Sequence, residues 1–285
     1  MTIAASAEEK PVNQIGVDIG ATLAKLAVRR VDGSLGFDFL PAGDLPAVEA
    51  RIRESAPKRV GLTGCGASSL SAKLEIPCRH SMEFEAWGRG SHSLLKAQTL
   101  AESEPYLLVS LGTGTSVLRV DGDDVARLGG TALGGGALLG LGDALTGCRD
   151  YREICLMAER GDRGRVDLRV SDLYAENEIP LPGETTAASF GNLGREGSPG
   201  KAPGPEDLAA AIMGLVGENV ALVCCGIAHA AGIRRLVYGG TTLHENPALV
   251  AILRGITAIT GCEPVILENG SFAGAVGALE CAAES

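Results

Sequence analysis

The strongest constraint on the fold is a strand–turn–strand–turn–strand block that occurs twice. Residues 12–41 contain three segments with a period of two, VNQIGVDI, LAKLAVRRV and LGFDFL, with glycine in the turns between them. This pattern predicts three short β-strands. Residues 106–129 repeat the order with YLLVSL, SVLRV and VARLG, separated by GTGT and DGDD. Two such blocks, each followed by helical spacing, predict a duplicated α/β unit.

The length of the chain favours two domains. It has 285 residues, and single hydrophobic cores stop growing at about 250 to 300 residues. We predict one domain over residues 12–104 and a second over 105–285, after a polar, mobile tail at 1–11. Apolar spacing also predicts a helix capped by Ser81, one over 167–173 and a long one over 205–231.

The charge balance excludes several classes of partner. The net charge is −10 and the pI is near 5.0, whereas nucleic acids and anionic membranes reward clustered Lys and Arg. The N-terminal residues lack a cationic segment followed by an apolar run, and no stretch of about 18 uninterrupted apolar residues occurs. We therefore expect a cytoplasmic protein without a nucleic-acid or membrane partner. The eight cysteines form no CxxC pair and are interpreted as buried hydrophobes.

Glycine is concentrated at the ends of predicted strands. The chain has 40 glycines, about twice the usual ~7% share. No GxxxxGK[ST] is present, and no GxGxxG lies between a strand and a helix, which disfavours P-loop and Rossmann sites. Dispersed glycine turns beside helix N-termini instead favour phosphate binding between two facing domains. The turns in question contain Gly20, Gly112–Gly114, Gly134–Gly136 and Gly239–Gly240.

The first of these turns also carries charged and hydroxyl side chains. Asp18 ends the first predicted strand, Thr22 lies in the turn, and Lys25 is on the returning strand. A carboxylate there can orient hydrated Mg²⁺, and Thr22 can meet phosphate oxygens. From these residues alone, an ordinary hairpin with a turn Asp and a surface Lys fits equally well.

Six segments together resemble one known family, the type II pantothenate kinases. In order, they are GVDIGATLAKL, SLGTGTSVLRV, RLGGTALGGGALLGLGDALTG, TAASFGN, YGGTTLHENPAL and GCEPVILENGSFAGAVGAL. The resemblance runs from about residue 14 to 280. It implies an α/β fold of two ribonuclease-H-like (actin/hexokinase-type) domains with a nucleotide cleft between them. It also implies a homodimer that uses ATP and Mg²⁺ to phosphorylate pantothenate.

The resemblance implies roles for particular residues. Glu83 falls where the family has the general base for the pantothenate hydroxyl, and Arg127 matches a catalytic cation that faces substrate and phosphate. Thr113 and Ser116 match hydroxyls that hold the pantothenate chain. Asp18 would bind the metal ion. The residues implied for nucleotide binding are Asp18, Gly20, Thr22, Lys25, Gly112, Gly134, Gly135, Gly136 and Gly240. Without the resemblance, Glu83 is interpreted as a solvated first-turn acid, with Glu85 as its rival.

One departure from the family pattern keeps alternatives open. Ala21 stands where the family usually has a second glycine in the first turn, and its methyl group can crowd an approaching phosphate. The alternatives are a kinase for pantetheine or a small sugar, and a catalytically silent nucleotide-binding sensor of the same fold.

Overall fold

The first block and its helices form eight elements. The protein is described by a computed structural model that covers residues 12–100, 104–176, 178–179, 183–195 and 202–283. The predicted tail at 1–11 lies outside the described residues. The elements before residue 100 are β1 (Val12–Ile19), β2 (Leu23–Arg30), β3 (Leu35–Pro41), α1 (Leu45–Ser55), β4 (Arg59–Thr63), α2 (Ala67–Ser71), β5 (Cys78–His80) and α3 (Glu83–Ala97).

The second block opens a longer series of elements. They are β6 (Tyr106–Leu111), β7 (Thr115–Asp121), β8 (Asp124–Thr131), α4 (Gly135–Thr146), α5 (Tyr151–Arg160), β9 (Leu168–Arg169), β10 (Thr186–Ala188), α6 (Pro205–Ala231), β11 (Arg235–Gly239), α7 (Pro247–Ile259), β12 (Glu263–Ile266) and α8 (Ala273–Ala283).

Two five-stranded sheets share one strand order. The first runs β3-β2-β1-β4-β5 and the second runs β12-β11-β6-β7-β8, so β6, β7 and β8 take the places of β1, β2 and β3. In the first sheet β1 pairs antiparallel with β2 and parallel with β4. In the second, β11 and β12 are parallel, as β4 and β5 are. The repeated block is therefore the visible part of a repeated five-stranded topology.

The chain divides into two compact units that are not continuous in sequence. The first contains the described residues up to Leu108, Leu118–Arg127, and the described residues from Leu267 onward. The second contains Val109–Val117 and Leu128–Ile266. This division differs from the predicted boundaries at 12–104 and 105–285, because the last helix, α8, packs with the first unit. The predicted boundaries stay a prediction about the duplicated domains.

Helix α8 packs on the first sheet through paired glycines. Gly16 and Gly61 stand opposite each other in the parallel register of β1 and β4. A Cβ at Gly16 would lie 1.9 Å from the Ala275 carbonyl oxygen, and a Cβ at Gly61 would lie 1.9 Å from that of Ala278. The helix backbone thus touches the strands directly, which a side chain at either glycine would prevent.

Helices α3 and α8 approach each other in the same way. A Cβ at Gly90 would lie 1.8 Å from the Ala273 carbonyl oxygen, and a Cβ at Gly277 would lie 1.7 Å from that of Ala86. The α3 backbone is therefore fixed against α8, and α8 is fixed against β1. This packing determines where the N-terminus of α3 lies.

The second unit is organised around the long helix α6. Its residues pack against α4, α5 and α7. By length and composition α6 is apolar enough to cross a membrane, but 67% of its most apolar window is buried inside the protein. Burial among three helices is typical of a core helix, so the apolar character of α6 is accounted for by the core of this unit.

Two predicted details of the helices are wrong. The side chain of Ser81 does not cap α3: the helix begins at Glu83 after Met82, and the Ser81 amide donates to the Leu62 carbonyl (3.0 Å). Residues 167–173 form the short strand β9 and a 3₁₀ turn instead of a helix. Leu168–Arg169 pairs with β10, and the preceding residue, Asp167, is buried and accepts from Arg163 Nε and the Phe190 amide.

Candidate functional site

Asp18 and Lys25 form a buried ion pair at the end of β1. They stand opposite each other in the antiparallel register of β1 and β2. Lys25 Nζ lies 3.3 Å from Asp18 Oδ2, and their side chains are 13% and 4% exposed. A Cβ at Gly20 would lie 2.9 Å from Lys25 Nζ. The predicted first turn therefore needs glycine at position 20, because a side chain there would displace the lysine.

The second carboxylate oxygen of Asp18 has no partner among the described residues. Asp18 Oδ1 is buried without a hydrogen bond. Glycines surround the carboxylate: a Cβ at Gly64 would lie 2.7 Å from Oδ1, and a Cβ at Gly274 would lie 2.6 Å from Oδ2. Buried carboxylate oxygens are ordinarily satisfied, and oxygen ligands suit Mg²⁺ and its hydration shell. The Asp18 site thus fits a hydrated magnesium ion.

Glu83 is the first residue of α3, near the same carboxylate. The segment before it is tied to β4, since Thr63 Oγ1 donates to the Ser81 carbonyl (3.0 Å). Burial raises the pKa of Glu83 above its ordinary value, and the negative charge of Asp18 raises it further, whereas Lys25 opposes the shift. The result is a half-buried carboxylate that holds a proton more readily than an exposed glutamate does.

Glu85 has a different environment from Glu83. Its side chain is 43% exposed, and its Oε1 lies 3.4 Å from Arg89 Nε, one helical turn further on. Ion pairs between residues four apart on a partly exposed helix face contribute little to the free energy of folding. The charges of Asp18 and Lys25 act on the pKa of Glu83.

In the second unit, the turn between β6 and β7 packs against the start of α4. The turn is closed by a hydrogen bond from the Gly112 amide to the Gly114 carbonyl (2.8 Å). The Gly135 amide donates to the Gly112 carbonyl (2.8 Å), and the Gly136 amide donates to the Thr113 carbonyl (2.9 Å). Two of the predicted glycine segments are therefore joined by backbone hydrogen bonds.

These hydrogen bonds define what the glycines of α4 contribute. A Cβ at Gly134 would lie 2.8 Å from the Thr113 carbonyl oxygen and from Gly114 Cα. The amides of Gly135 and Gly136 are already donated within the turn, so they are occupied in this geometry. Their contribution is the absence of side chains, which lets α4 and the turn lie backbone to backbone.

A third glycine segment joins the same turn from the end of β11. Gly240 has φ +106°, and a Cβ there would lie 2.2 Å from the Leu111 carbonyl oxygen. Two residues later, the Thr242 hydroxyl donates to the Gly112 carbonyl (2.7 Å). We call the set Gly112–Gly114, Gly134–Gly136, Gly240 and Thr242 the glycine junction.

The remaining predicted residues are less enclosed. Thr22 and Thr113 are exposed in their turns, Ser116 is half-buried on β7, and Arg127 is exposed on β8. Arg127 forms no ion pair with any residue that the structure describes, so its guanidinium is available to an anionic ligand. Ser116 is on the strand that leaves the Gly112–Gly114 turn, two residues after Gly114.

Sequence reasoning missed the residues that support the glycine junction. Tyr151, at the start of α5, donates its hydroxyl to the Thr242 carbonyl (2.5 Å). Asn246 Nδ2 donates to Tyr151 Oη (2.9 Å), while its Oδ1 accepts from the Leu249 amide and caps α7. The Asn-Pro pair before α7 is a recognisable cap signal. No local sequence signal connects Tyr151 with Thr242, which lies 91 residues further along the chain.

Solved structures share this architecture at low sequence identity. The activator of the 2-hydroxyisocaproyl-CoA dehydratase from Clostridium difficile, solved with bound ADPNP, has a TM-score of 0.62 at 17% identity, covering 96% of this chain and 94% of that chain. A ROK family glucokinase from Streptomyces griseus has a TM-score of 0.58 at 13% identity, covering 96% and 100%. These likenesses confirm the predicted α/β, actin/hexokinase-type fold class.

Sequence comparison gives the family. The family model described as Fumble matches residues 79–280. The type II pantothenate kinase of Staphylococcus aureus (strain USA300) is 34% identical over 268 residues, which are 93% of this chain and 98% of that protein. The protein of the same name from strain NCTC 8325 gives the same values. The resemblance found in the sequence is confirmed by these matches, and the chain belongs to the type II pantothenate kinase family.

Proposed function

We propose that the protein is an ATP-dependent kinase that phosphorylates pantothenate to 4′-phosphopantothenate, the first step of coenzyme A biosynthesis. The observation that carries the proposal is the 34% identity to type II pantothenate kinases over 93% of the chain. The Asp18, Lys25 and Glu83 cluster supports it, because it combines a carboxylate suited to a metal ion with a second carboxylate of raised pKa.

In this proposal Glu83 is the general base. It accepts the proton of the acceptor hydroxyl as that oxygen attacks the γ-phosphorus of ATP, while the bond from the γ-phosphorus to the bridging oxygen breaks and ADP leaves. Asp18 would hold hydrated Mg²⁺, and Lys25 keeps the Asp18 carboxylate in place through the ion pair. When bound, Mg²⁺ supplies positive charge that offsets the charge of the phosphates.

The proposal also gives roles to the glycine junction and to the exposed turn residues. In this proposal Gly20, Gly112, Gly134–Gly136 and Gly240 shape the turns that the nucleotide phosphates meet, by permitting the close packing described above, and the Thr22 hydroxyl is exposed to the phosphates. Thr113 and Ser116 hold the pantothenate chain, and Arg127 faces substrate and phosphate as the cation that a carboxylated substrate needs in a chain of net charge −10.

The experiment that tests the function is an acceptor panel. Purified protein with ATP and Mg²⁺ is given pantothenate, pantetheine and small sugars, and phosphate transfer is measured for each. We expect turnover with pantothenate. Transfer only to pantetheine or a sugar would reassign the acceptor. No turnover with any acceptor, together with measurable ATP binding, would favour the sensor, in which Ala21 crowds the phosphate.

We also propose a cytoplasmic homodimer that uses the exposed face of α6. Leu222 and Val223 are 53% and 42% exposed, and Gly226 and Ala230 extend the same face as exposed small residues. Exposed apolar residues on a core helix are typical of an interface. Sedimentation analysis should give a dimer for the wild type and a monomer for Leu222→Lys. A monomeric wild type would overturn the proposal.

A further inference from the structure

The Gly112 carbonyl is the point at which the glycine junction is held together. It accepts two hydrogen bonds, from the Gly135 amide (2.8 Å) and from the Thr242 hydroxyl (2.7 Å). The first bond joins the turn to α4, and the second joins it to the segment after β11. Thr242 thus supplies a side-chain hydrogen bond to the same carbonyl oxygen that the α4 backbone bonds.

The position of Thr242 is fixed by hydrogen bonds to its backbone carbonyl. Its side chain is buried, and its carbonyl accepts from Tyr151 Oη (2.5 Å) and Asn246 Nδ2 (3.3 Å). Asn246 is 1% exposed and also donates to Tyr151 Oη. Buried networks in which every member has a partner are rigid and specify one geometry. The Thr242 hydroxyl therefore has little freedom to aim elsewhere.

Gly135 is required for this contact. A Cβ at Gly135 would lie 2.8 Å from Thr242 Oγ1 and 3.2 Å from the Gly112 carbonyl oxygen. A methyl group there would enter the space between the hydroxyl and its acceptor. The glycine at position 135 and the threonine at position 242 are therefore two parts of one arrangement, although they are separated by more than one hundred residues.

We infer that Thr242 is a positioning residue for nucleotide binding: its backbone carbonyl is held by Tyr151 and Asn246, and its hydroxyl sets the position of the Gly112–Gly114 turn. The inference rests on the proposed function, because it takes this turn as part of the nucleotide site. It assigns Thr242 no contact with substrate or phosphate. A displaced turn moves the backbone that the phosphates approach, and small misplacements of a site have large effects on binding and rate.

The test compares two buried threonines with the same substitution. Thr242→Val removes the hydroxyl at nearly constant volume. Thr257→Val does the same on α7, where the Thr257 hydroxyl is bonded to Tyr238 Oη at 2.6 Å and makes no hydrogen bond to the junction among the described residues. ADP affinity is measured by calorimetry, the KM for ATP and kcat by steady-state assay, and the melting temperature by scanning calorimetry.

We expect Thr242→Val to weaken ADP binding and raise the KM for ATP by about 10-fold, while Thr257→Val leaves both near the wild-type values at a similar melting temperature. Thr242→Ser, which retains the hydroxyl, should restore ADP affinity to within a few-fold of wild type. Gly135→Ala should weaken ADP binding with Thr242 intact.

Wild-type ADP affinity in Thr242→Val would overturn the inference. Equal weakening in both valine variants would also overturn it, because the effect would then be general loss of stability. The proposed function fails by a different result, namely no phosphate transfer from ATP to pantothenate by the wild-type protein. The ADP measurement needs no acceptor, so it separates the two failures.

Discussion

The carboxylate cluster of the first unit and the glycine junction of the second are built by opposite means. Asp18, Lys25 and Glu83 act through charged side chains, and the pKa of Glu83 is raised by burial and by Asp18. The junction contains no charged side chain: it consists of backbone hydrogen bonds, glycines that permit close approach, and one threonine hydroxyl. Charged side chains are suited to activating an acceptor and holding a metal ion, whereas glycines are suited to bringing backbone segments close together.

The carboxylate cluster and the glycine junction should therefore respond differently to substitution. In the carboxylate cluster, isosteric removal of a charge should change the chemistry without changing the packing. In the junction, addition of a single methyl group should change the packing first and affect binding as a result.

The largest effect is expected from Glu83→Gln. Loss of the general base should lower kcat by about 10²-fold or more, with little change in the KM for ATP. Steady-state kinetics of the purified variant measure this. Glu85→Gln is the matched control in the same helical turn, and it should remain within a few-fold of wild type because Glu85 pairs with Arg89. Equal losses in the two variants would remove Glu83 from its proposed role.

Asp18→Asn tests whether the unpartnered oxygen serves a metal ion. The amide cannot hold hydrated Mg²⁺ as a carboxylate does, and the variant should need about 10- to 100-fold more Mg²⁺ for half-maximal rate. The measurement is a Mg²⁺ titration of phosphate transfer at fixed ATP. An unchanged Mg²⁺ requirement would show that Asp18 and Lys25 form a structural ion pair only.

Gly134→Ala tests the junction by packing alone. The added Cβ would lie 2.8 Å from the Thr113 carbonyl oxygen, and the forced shift should cost about 1–3 kcal/mol of stability and weaken ADP binding by about 10-fold. Gly140→Ala in the same helix is the control, because its Cβ would have no neighbour within 4 Å. The control should raise stability by up to about 1 kcal/mol without changing ADP affinity.

The smallest effect is expected from the titration of Glu83. Its folded pKa is above its ordinary value of 4.5, so the protonated form is favoured in the folded state. The associated stability is present below pH 4.5 and is lost as pH rises through the folded pKa. Glu83→Gln should therefore melt slightly higher than wild type at pH 7, with a smaller difference at pH 4. Melting curves at both pH values test the sign, and a lower melting temperature at pH 7 would contradict it.

The raised pKa of Glu83 also predicts how kcat/KM depends on pH on the acid side. A base must be ionised to accept a proton, so kcat/KM should fall as pH decreases through the pKa of Glu83. That midpoint should lie above the ordinary glutamate value, because burial and the Asp18 charge favour the protonated form.

Local patterns predicted the parts of the fold that depend on local residues. Alternation and glycine turns predicted both three-stranded blocks, and the apolar run after Pro205 predicted α6. The prediction of a helix over 167–173 was wrong. Asp167 is bonded to Arg163 and to the Phe190 amide, and a contact with a residue twenty-three positions away cannot be recognised from local sequence.

The candidate site shows the same limit. Asp18 and Lys25 could be paired from strand register, and the family resemblance marked Glu83. The Thr242 hydroxyl and its supports could not be found, since threonine after a strand is common and Tyr151 is distant in sequence. The occupied amides of Gly135 and Gly136 were also beyond prediction, because their acceptors belong to another glycine turn.

The position of α8 has a consequence for the order of folding during synthesis. Gly16 and Gly61 pack against the backbone of Ala275 and Ala278 in α8. The strands of the first sheet are therefore synthesised well before the helix that covers them. The second unit is complete once Ile266 has emerged. We therefore expect nascent chains arrested after this point to contain a protease-resistant second unit and an incomplete first unit, which stays open to chaperone binding until α8 has been synthesised.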